Sequence, residues 1–130
     1  MSALAWLAVA VGAAVGAPLR FAVERRLAAS WPRGTFVVNV VGSAVLGTLV
    51  GWASTRDGDS RAVLVALVGT GFCGALTTFG GYAAQVLDLA VGAAGLDRPA
   101  ARALVYATAS VVVCVAVAAA GYLASTAMLT

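Results

Sequence analysis

The stretch Gly69-Thr70-Gly71-Phe72-Cys73-Gly74-Ala75-Leu76-Thr77-Thr78-Phe79-Gly80-Gly81-Tyr82 decides how this chain is built. It lies at the centre of residues 62–87, a run with no charge between Arg61 and Asp88. A helix crossing the hydrocarbon of a membrane needs roughly 20 apolar residues, so the run can cross once. Yet five glycines fall within residues 69–81, and each weakens a helix by about 1 kcal/mol relative to alanine. Irregular backbone is tolerated at membrane depth only where protein or a polar cavity covers it. The stretch therefore predicts a helix broken mid-membrane, with functional carbonyls at the break. Close helix packing through small residues is the competing reading.

Outward from this segment, three more runs are free of charge: residues 1–19 before Arg20, 34–55 between Arg33 and Arg56, and 103–130 after Arg102. Lipid offers the backbone no hydrogen bonds, so spans of this kind are helices. The arginines follow the first run instead of preceding it, which is the wrong order for a secretory signal. The expectation is one all-α transmembrane domain over 1–130, with spans at about 2–21, 34–54, 62–91 and 103–127. The loops, about 22–33, 54–61 and 92–102, are too short to hold a soluble domain. Composition agrees: 62% of residues are hydrophobic, 10% are charged, and mean hydropathy is +1.01, too few charges for a water-facing shell. Gly12 and Gly16, and Gly47 and Gly51, are spaced four apart for close helix approach. Four thin helices enclose little space, so a dimer at least is expected.

Several classes fall away. All eight basic residues are arginines in short loops with no basic face, which argues against nucleic acid. Cys73 and Cys114 lie in apolar runs and read as small buried hydrophobes. No cluster has transition-metal spacing. With no histidine and no nucleophile beside a base, no catalytic residue stands out and an enzyme is not expected.

The polar groups inside the spans are the informative ones. Thr35, Asn39 and Ser43 are four apart and share a helix face. Thr77 and Thr78 lie beside the expected break, and Tyr106 and Ser110 share a face of the fourth span. These donors carry no charge. Asn39 reads either as interhelical glue or as a ligand contact. No Asp or Glu sits mid-span, which disfavours a proton-coupled small exporter and a cation channel with acidic rings. Neutral donors suit an anion. Arg20 ends the first span, where it either snorkels to the interface or lends positive potential to an anion vestibule.

Three blocks now stand together: Gly12-Ala13-Ala14-Val15-Gly16-Ala17-Pro18-Leu19-Arg20-Phe21, Gly34-Thr35-Phe36-Val37-Val38-Asn39-Val40-Val41-Gly42-Ser43, and Gly71-Phe72-Cys73-Gly74-Ala75-Leu76-Thr77-Thr78-Phe79. In them the chain resembles the Fluc (CrcB-like) fluoride ion channels, across all four spans. The resemblance implies a passive fluoride channel in the cell membrane that exports the cytoplasmic ion and so protects against its toxicity. It also implies a dual-topology, antiparallel dimer with two pathways and a sodium ion (Na+) at its centre, held by main-chain carbonyls that here would be Gly74 and Thr77. The implied pathway residues are Asn39, Phe79, Tyr82, Thr78, Tyr106, Ser110, Thr35 and Arg20.

The chain departs from that pattern after the two threonines, where the family's usual Phe-Ser-Thr-Phe and following Glu become Phe79-Gly80-Gly81-Tyr82 and Gln85. Charge is also lopsided. Arg20, Arg25, Arg26, Arg33, Arg98 and Arg102 belong to one side, Arg56 and Arg61 to the other. The arginine-rich side should face the cytoplasm, which predicts a fixed orientation with both termini outside. Both departures favour one half of a heterodimer, partnered by a paralogue inserted the opposite way. A proton-coupled exporter and a non-transporting membrane scaffold are the alternatives.

Overall fold

The computed structural model describes residues 2–92, 95 and 97–129. The chain ends Met1 and Thr130, and residues 93, 94 and 96 of the expected third loop, lie outside the described residues. Among the described residues, four helices are long and apolar enough to cross a membrane: Ala3–Arg26, Arg33–Ser54, Asp59–Ala90 and Pro99–Leu129. The first two are α1 and α2. The third is composite: α3 (Asp59–Leu64), a π-helical segment Val65–Cys73, α4 (Gly74–Leu76) and α5 (Phe79–Ala90). The fourth is α6, Pro99–Leu129. At about 1.5 Å per residue, the 24 residues of α1 reach about 36 Å, longer than the hydrocarbon is thick. This helix runs on past Arg20, where the sequence suggested an end, and carries Pro18 within it.

Burial is inverted relative to a soluble bundle. In α1 the small residues Ala5, Ala8, Gly12 and Gly16 are buried, while Leu4, Leu7, Val11, Val15 and Leu19 are exposed. In α6, Ala103 and Ser110 likewise face inward and Leu104, Val111, Val112 and Val115 outward, with Tyr106 the one large side chain buried among its described residues. Lipid is as apolar as leucine, so large side chains gain little by turning inward, and small ones let backbones approach. Two such seams organise the bundle. Gly12 and Gly71 bring α1 against the π-helical segment, with only 2.6 Å between a Cβ built on Gly71 and the Val9 carbonyl oxygen. Gly47 and Gly51 bring α2 against α6, with the Gly47 position in contact with the Ala118 backbone.

The third span is broken, but not by its glycines. Gly69, Gly71 and Gly74 all stay in helical backbone, the first two in the π-helical segment. The break is at Thr77 (φ −82°, ψ 156°) and Thr78 (φ −148°, ψ 121°), both extended. β-branched side chains tolerate extended backbone better than most, and both threonines have hydroxyl bonds that stabilise the flanking helix ends. Glycine content marked the right neighbourhood. Gly69 and Gly71 instead supply close packing, the competing reading.

Candidate functional site

At the break, several diverted backbone groups find side-chain or backbone partners. The Thr77 N–H and hydroxyl both donate to the Cys73 carbonyl, each at 2.9 Å, ending α4. The Thr78 hydroxyl accepts from the Gly81 N–H at 3.0 Å and caps α5. In an unbroken helix the Thr78 N–H would donate to the Gly74 carbonyl four residues back. Here it donates to Asn39 Oδ1 at 2.8 Å, and Asn39 Nδ2 donates back to the Thr78 carbonyl at 3.2 Å. The Asn39 amide thus replaces two backbone partners at once. Arg20 Nη1 reaches the Thr77 carbonyl at 3.4 Å.

Around this clasp lies a half-open cavity of about 350 Å³. It brings together Asn39, Thr77, Thr78, Phe79, Tyr82 and Ser110, with Gly74 in its wall. Ser43, a turn beyond Asn39, adds another hydroxyl. Among the described residues, no Asp, Glu or Arg lines it. α5 starts at its wall, so a helix N-terminus, the positive end of a helix dipole, points into a region without counter-charge. The carbonyl end of α4 meets the same cavity from the other direction, so the break presents a donor pole and an acceptor pole side by side.

Aromatic rings continue from the cavity into the protein. Phe79, 82% exposed in the single chain, lies 5.8 Å from Tyr82, ring centre to ring centre. Tyr82 is 5.8 Å from Tyr106, and Tyr106 meets Trp31 edge-to-face at 5.7 Å. The Tyr82 hydroxyl is turned away from the cavity, donating to the Ala107 carbonyl of α6 at 3.2 Å. That bond fixes the ring while leaving its body in the cavity wall. Ser110 is buried in the wall. Its Oγ has no hydrogen-bond partner among the described residues.

Three expected residues are not in this cavity. Thr35, one turn before Asn39, lines a second cavity with Glu24 and Gln85. Tyr106 is fully buried between the two, its hydroxyl donating to Gln85 Oε1 at 3.0 Å. Arg20 stands behind the break, holding the Thr77 carbonyl. Sequence reasoning did not select Glu24, which reads as one charge in a loop, or Trp31, and only the packing of α1 on α2 and of the loop on α6 places them. One consequence at the break can be measured. Thr78→Ala removes the cap of α5 and should lower stability by about 1 kcal/mol, read as a lower Tm in detergent, while Thr78→Ser keeps it.

Residues 7–122 match the family model described as CrcB-like protein, Camphor Resistance (CrcB). The chain is 47% identical over 94 residues to a protein of Streptomyces avermitilis named fluoride-specific ion channel FluC 1, covering 69% of this chain and 74% of that one. It is 35% identical over 121 residues to the fluoride-specific ion channel FluC of a Caulobacter species, covering 90% and 91%. With the fluoride-specific ion channel FluC 2 of Mycobacterium tuberculosis it shares 40% identity over 117 residues, covering 87% and 84%.

Proposed function

The chain belongs to the CrcB-like family, and on that footing we propose that it is a fluoride-selective, passive channel subunit through which the cytoplasmic ion leaves the cell. The observation that carries this reading is the mid-membrane cavity whose polar lining is wholly uncharged, set at the N-terminus of α5. A small halide gives up tightly held water only where donors replace it. Asn39 keeps one amide N–H beyond the one given to Thr78, and Ser43 and Ser110 add hydroxyls. The Phe79 and Tyr82 rings have positive edges that suit a bare anion. An inside-negative potential drives the anion outward by about 2.3 kcal/mol per 100 mV.

We further infer a second subunit. The cavity is open on one side, and the Phe79 ring stands out from the single chain. An antiparallel partner would close the cavity and add its own donors. The six-to-two split of arginines, together with Gly80, Gly81, Tyr82 and Gln85, favours a paralogous partner and fixed insertion with both termini outside. The residues also fit a hard cation between subunits. The Gly74 carbonyl has lost its helical donor, and the Thr77 carbonyl has two lone pairs, of which Arg20 takes one. Such oxygens suit sodium, and a partner would complete the set. Bound there, the ion supplies a fixed positive charge beside the route.

The test is fluoride-electrode efflux from vesicles holding the purified chain, alone and with a candidate paralogue. Efflux that follows an imposed potential and excludes chloride is expected. Vesicles that stay sealed to fluoride in every combination would remove the reading, and flux that follows a pH gradient instead would point to an exporter. Full conduction by the chain alone, with tagged termini found equally on both sides, would replace the heterodimer by a dual-topology homodimer.

A further inference from the structure

A third cavity, about 460 Å³, lies where the loop entering α6 meets the loop between α1 and α2. It is lined by Trp31, Asp97, Arg98, Ala101, Arg102 and Val105. The chain's path puts it at the end of the bundle that also carries Arg25, Arg26 and Arg33. The 31 residues of α6 reach about 46 Å at about 1.5 Å each, so the helix outruns the hydrocarbon. No charge follows Arg102 in the chain. Since charge avoids the hydrocarbon, Arg98 and Arg102 stand at headgroup level and Val105 at the edge of the acyl layer.

Both arginines are exposed and presented without a carboxylate partner. The ion pair among the described residues joins Arg61 to Asp57, at the opposite end of the bundle. Arg102 Nε donates to the Asp97 main-chain carbonyl at 2.8 Å, which fixes the guanidinium and leaves its Nη donors over. Arg98 takes up its place through left-handed backbone, φ 54°, the one non-glycine residue so bent among the described residues. Two arginines thus outweigh the one aspartate in the lining. Trp31 stands opposite, half-buried, its ring set edge-to-face against Tyr106 at 5.7 Å. Indole rings favour the headgroup level of a bilayer. Deeper along α6, Val105 and Val112 are exposed on one stripe, two turns apart.

A free phosphate would use the arginines and gain nothing from the indole or the valines. A molecule with phosphate at one end and hydrocarbon at the other uses all of them. We propose that this cavity binds an anionic glycerophospholipid. Its phosphodiester sits on Arg98 and Arg102, where guanidinium and phosphate geometries match. Its glycerol lies against Trp31, and an acyl chain follows Val105 and Val112. The site is separate from the break in the third span and does not depend on conduction.

The experiment uses the purified full chain in neutral detergent, in whichever subunit assembly it purifies. Native mass spectrometry compares retained phosphatidylglycerol with phosphatidylcholine of the same acyl chains. One phosphatidylglycerol per chain is expected, held several-fold more tightly than phosphatidylcholine. Arg98→Asn with Arg102→Gln should weaken it roughly tenfold; asparagine keeps the left-handed backbone available. Arg56→Gln with Arg61→Gln removes the same charge at the other end and should bind like wild type. Glycerol 3-phosphate at matched concentration should not displace the lipid. Equal retention of the two lipids, an unweakened Arg98/Arg102 variant, or an equal loss in the Arg56/Arg61 variant overturns the proposal. Displacement by glycerol 3-phosphate makes this a site for free phosphate and overturns it too. If the Arg98/Arg102 variant does not fold, Trp31 answers in its place. With Trp6→Phe and Trp52→Phe leaving Trp31 the only indole, brominated phosphatidylglycerol should quench it more than brominated phosphatidylcholine, and equal quenching overturns the proposal. Fluoride flux is not read, so vesicles sealed to fluoride would remove the channel reading and leave this result standing.

Discussion

Asn39→Ala is expected to abolish fluoride efflux and to cost the fold about 2–4 kcal/mol. The estimate follows from the clasp at the break. Removing the amide leaves the Thr78 N–H and carbonyl without their partners, and each unsatisfied, poorly hydrated backbone group costs about 1–3 kcal/mol. Water admitted by the open cavity softens the loss, which is why the lower part of the summed range is expected. Asn39→Asp separates the two roles. Its carboxylate still accepts from the Thr78 N–H but stands against the Thr78 carbonyl, and it places a negative charge in the anion's path. It should hold more of the stability than alanine does and none of the conduction. Tm in detergent and vesicle efflux read the two quantities. An Asn39→Ala protein with wild-type values of both would contradict the structure's account of the break.

The second large effect lies away from the cavity. Gly47→Leu should leave no folded protein to extract. At Gly47 even a Cβ falls on the backbone of Ala118, and at Gly12 on the Leu67 carbonyl and within 2.7 Å of the Phe72 nitrogen. Overpacking by a side chain typically costs about 1–3 kcal/mol when neighbours can shift. Here the neighbour is main chain in a helix, so the helices must separate, and with them the seam that holds α2 to α6. Gly80 is the control. A Cβ there meets nothing within 4 Å in the single chain, so Gly80→Ala should express and extract like wild type. Fluorescence size-exclusion profiles distinguish the three proteins. A monodisperse, wild-type-like Gly47→Leu would show that the seam is not as close as the structure has it.

The four spans were legible because charge is excluded from hydrocarbon, and the thirteen charged residues fall at the helix ends and in the connections between them. Asn39 was legible for the same reason, since an amide amid valines and glycines must have a partner. Which partner was not legible. The clasp joins residues 39 apart in the chain, and helical periodicity carries no information across that distance. The break moved from the glycines to Thr77 and Thr78 because propensity is a weak prior beside packing. Gly69 has leucine side chains from α2 against it and Gly71 has α1 against it, and those neighbours hold both in helical backbone. Glu24 escaped notice because a carboxylate near three arginines reads as a loop charge, and only the contact with Thr35 reveals otherwise. The Tyr82 hydroxyl, at a position where the resemblance expects a phenylalanine, is anchored on the Ala107 carbonyl of α6, another contact between spans that periodicity does not carry.

The clasp also has a bearing on how the protein is made. A ribosome delivers the chain from its N-terminus, so the segment bearing Asn39 reaches the bilayer before residues 77 and 78 emerge. The receiving amide is in place when the vulnerable piece of main chain arrives, and the third crossing never has to lie in lipid with that piece uncovered. A circularly permuted gene that placed the third crossing ahead of the second would reverse this order. Its product would carry the same contacts once finished, yet be handed to quality-control proteases during synthesis.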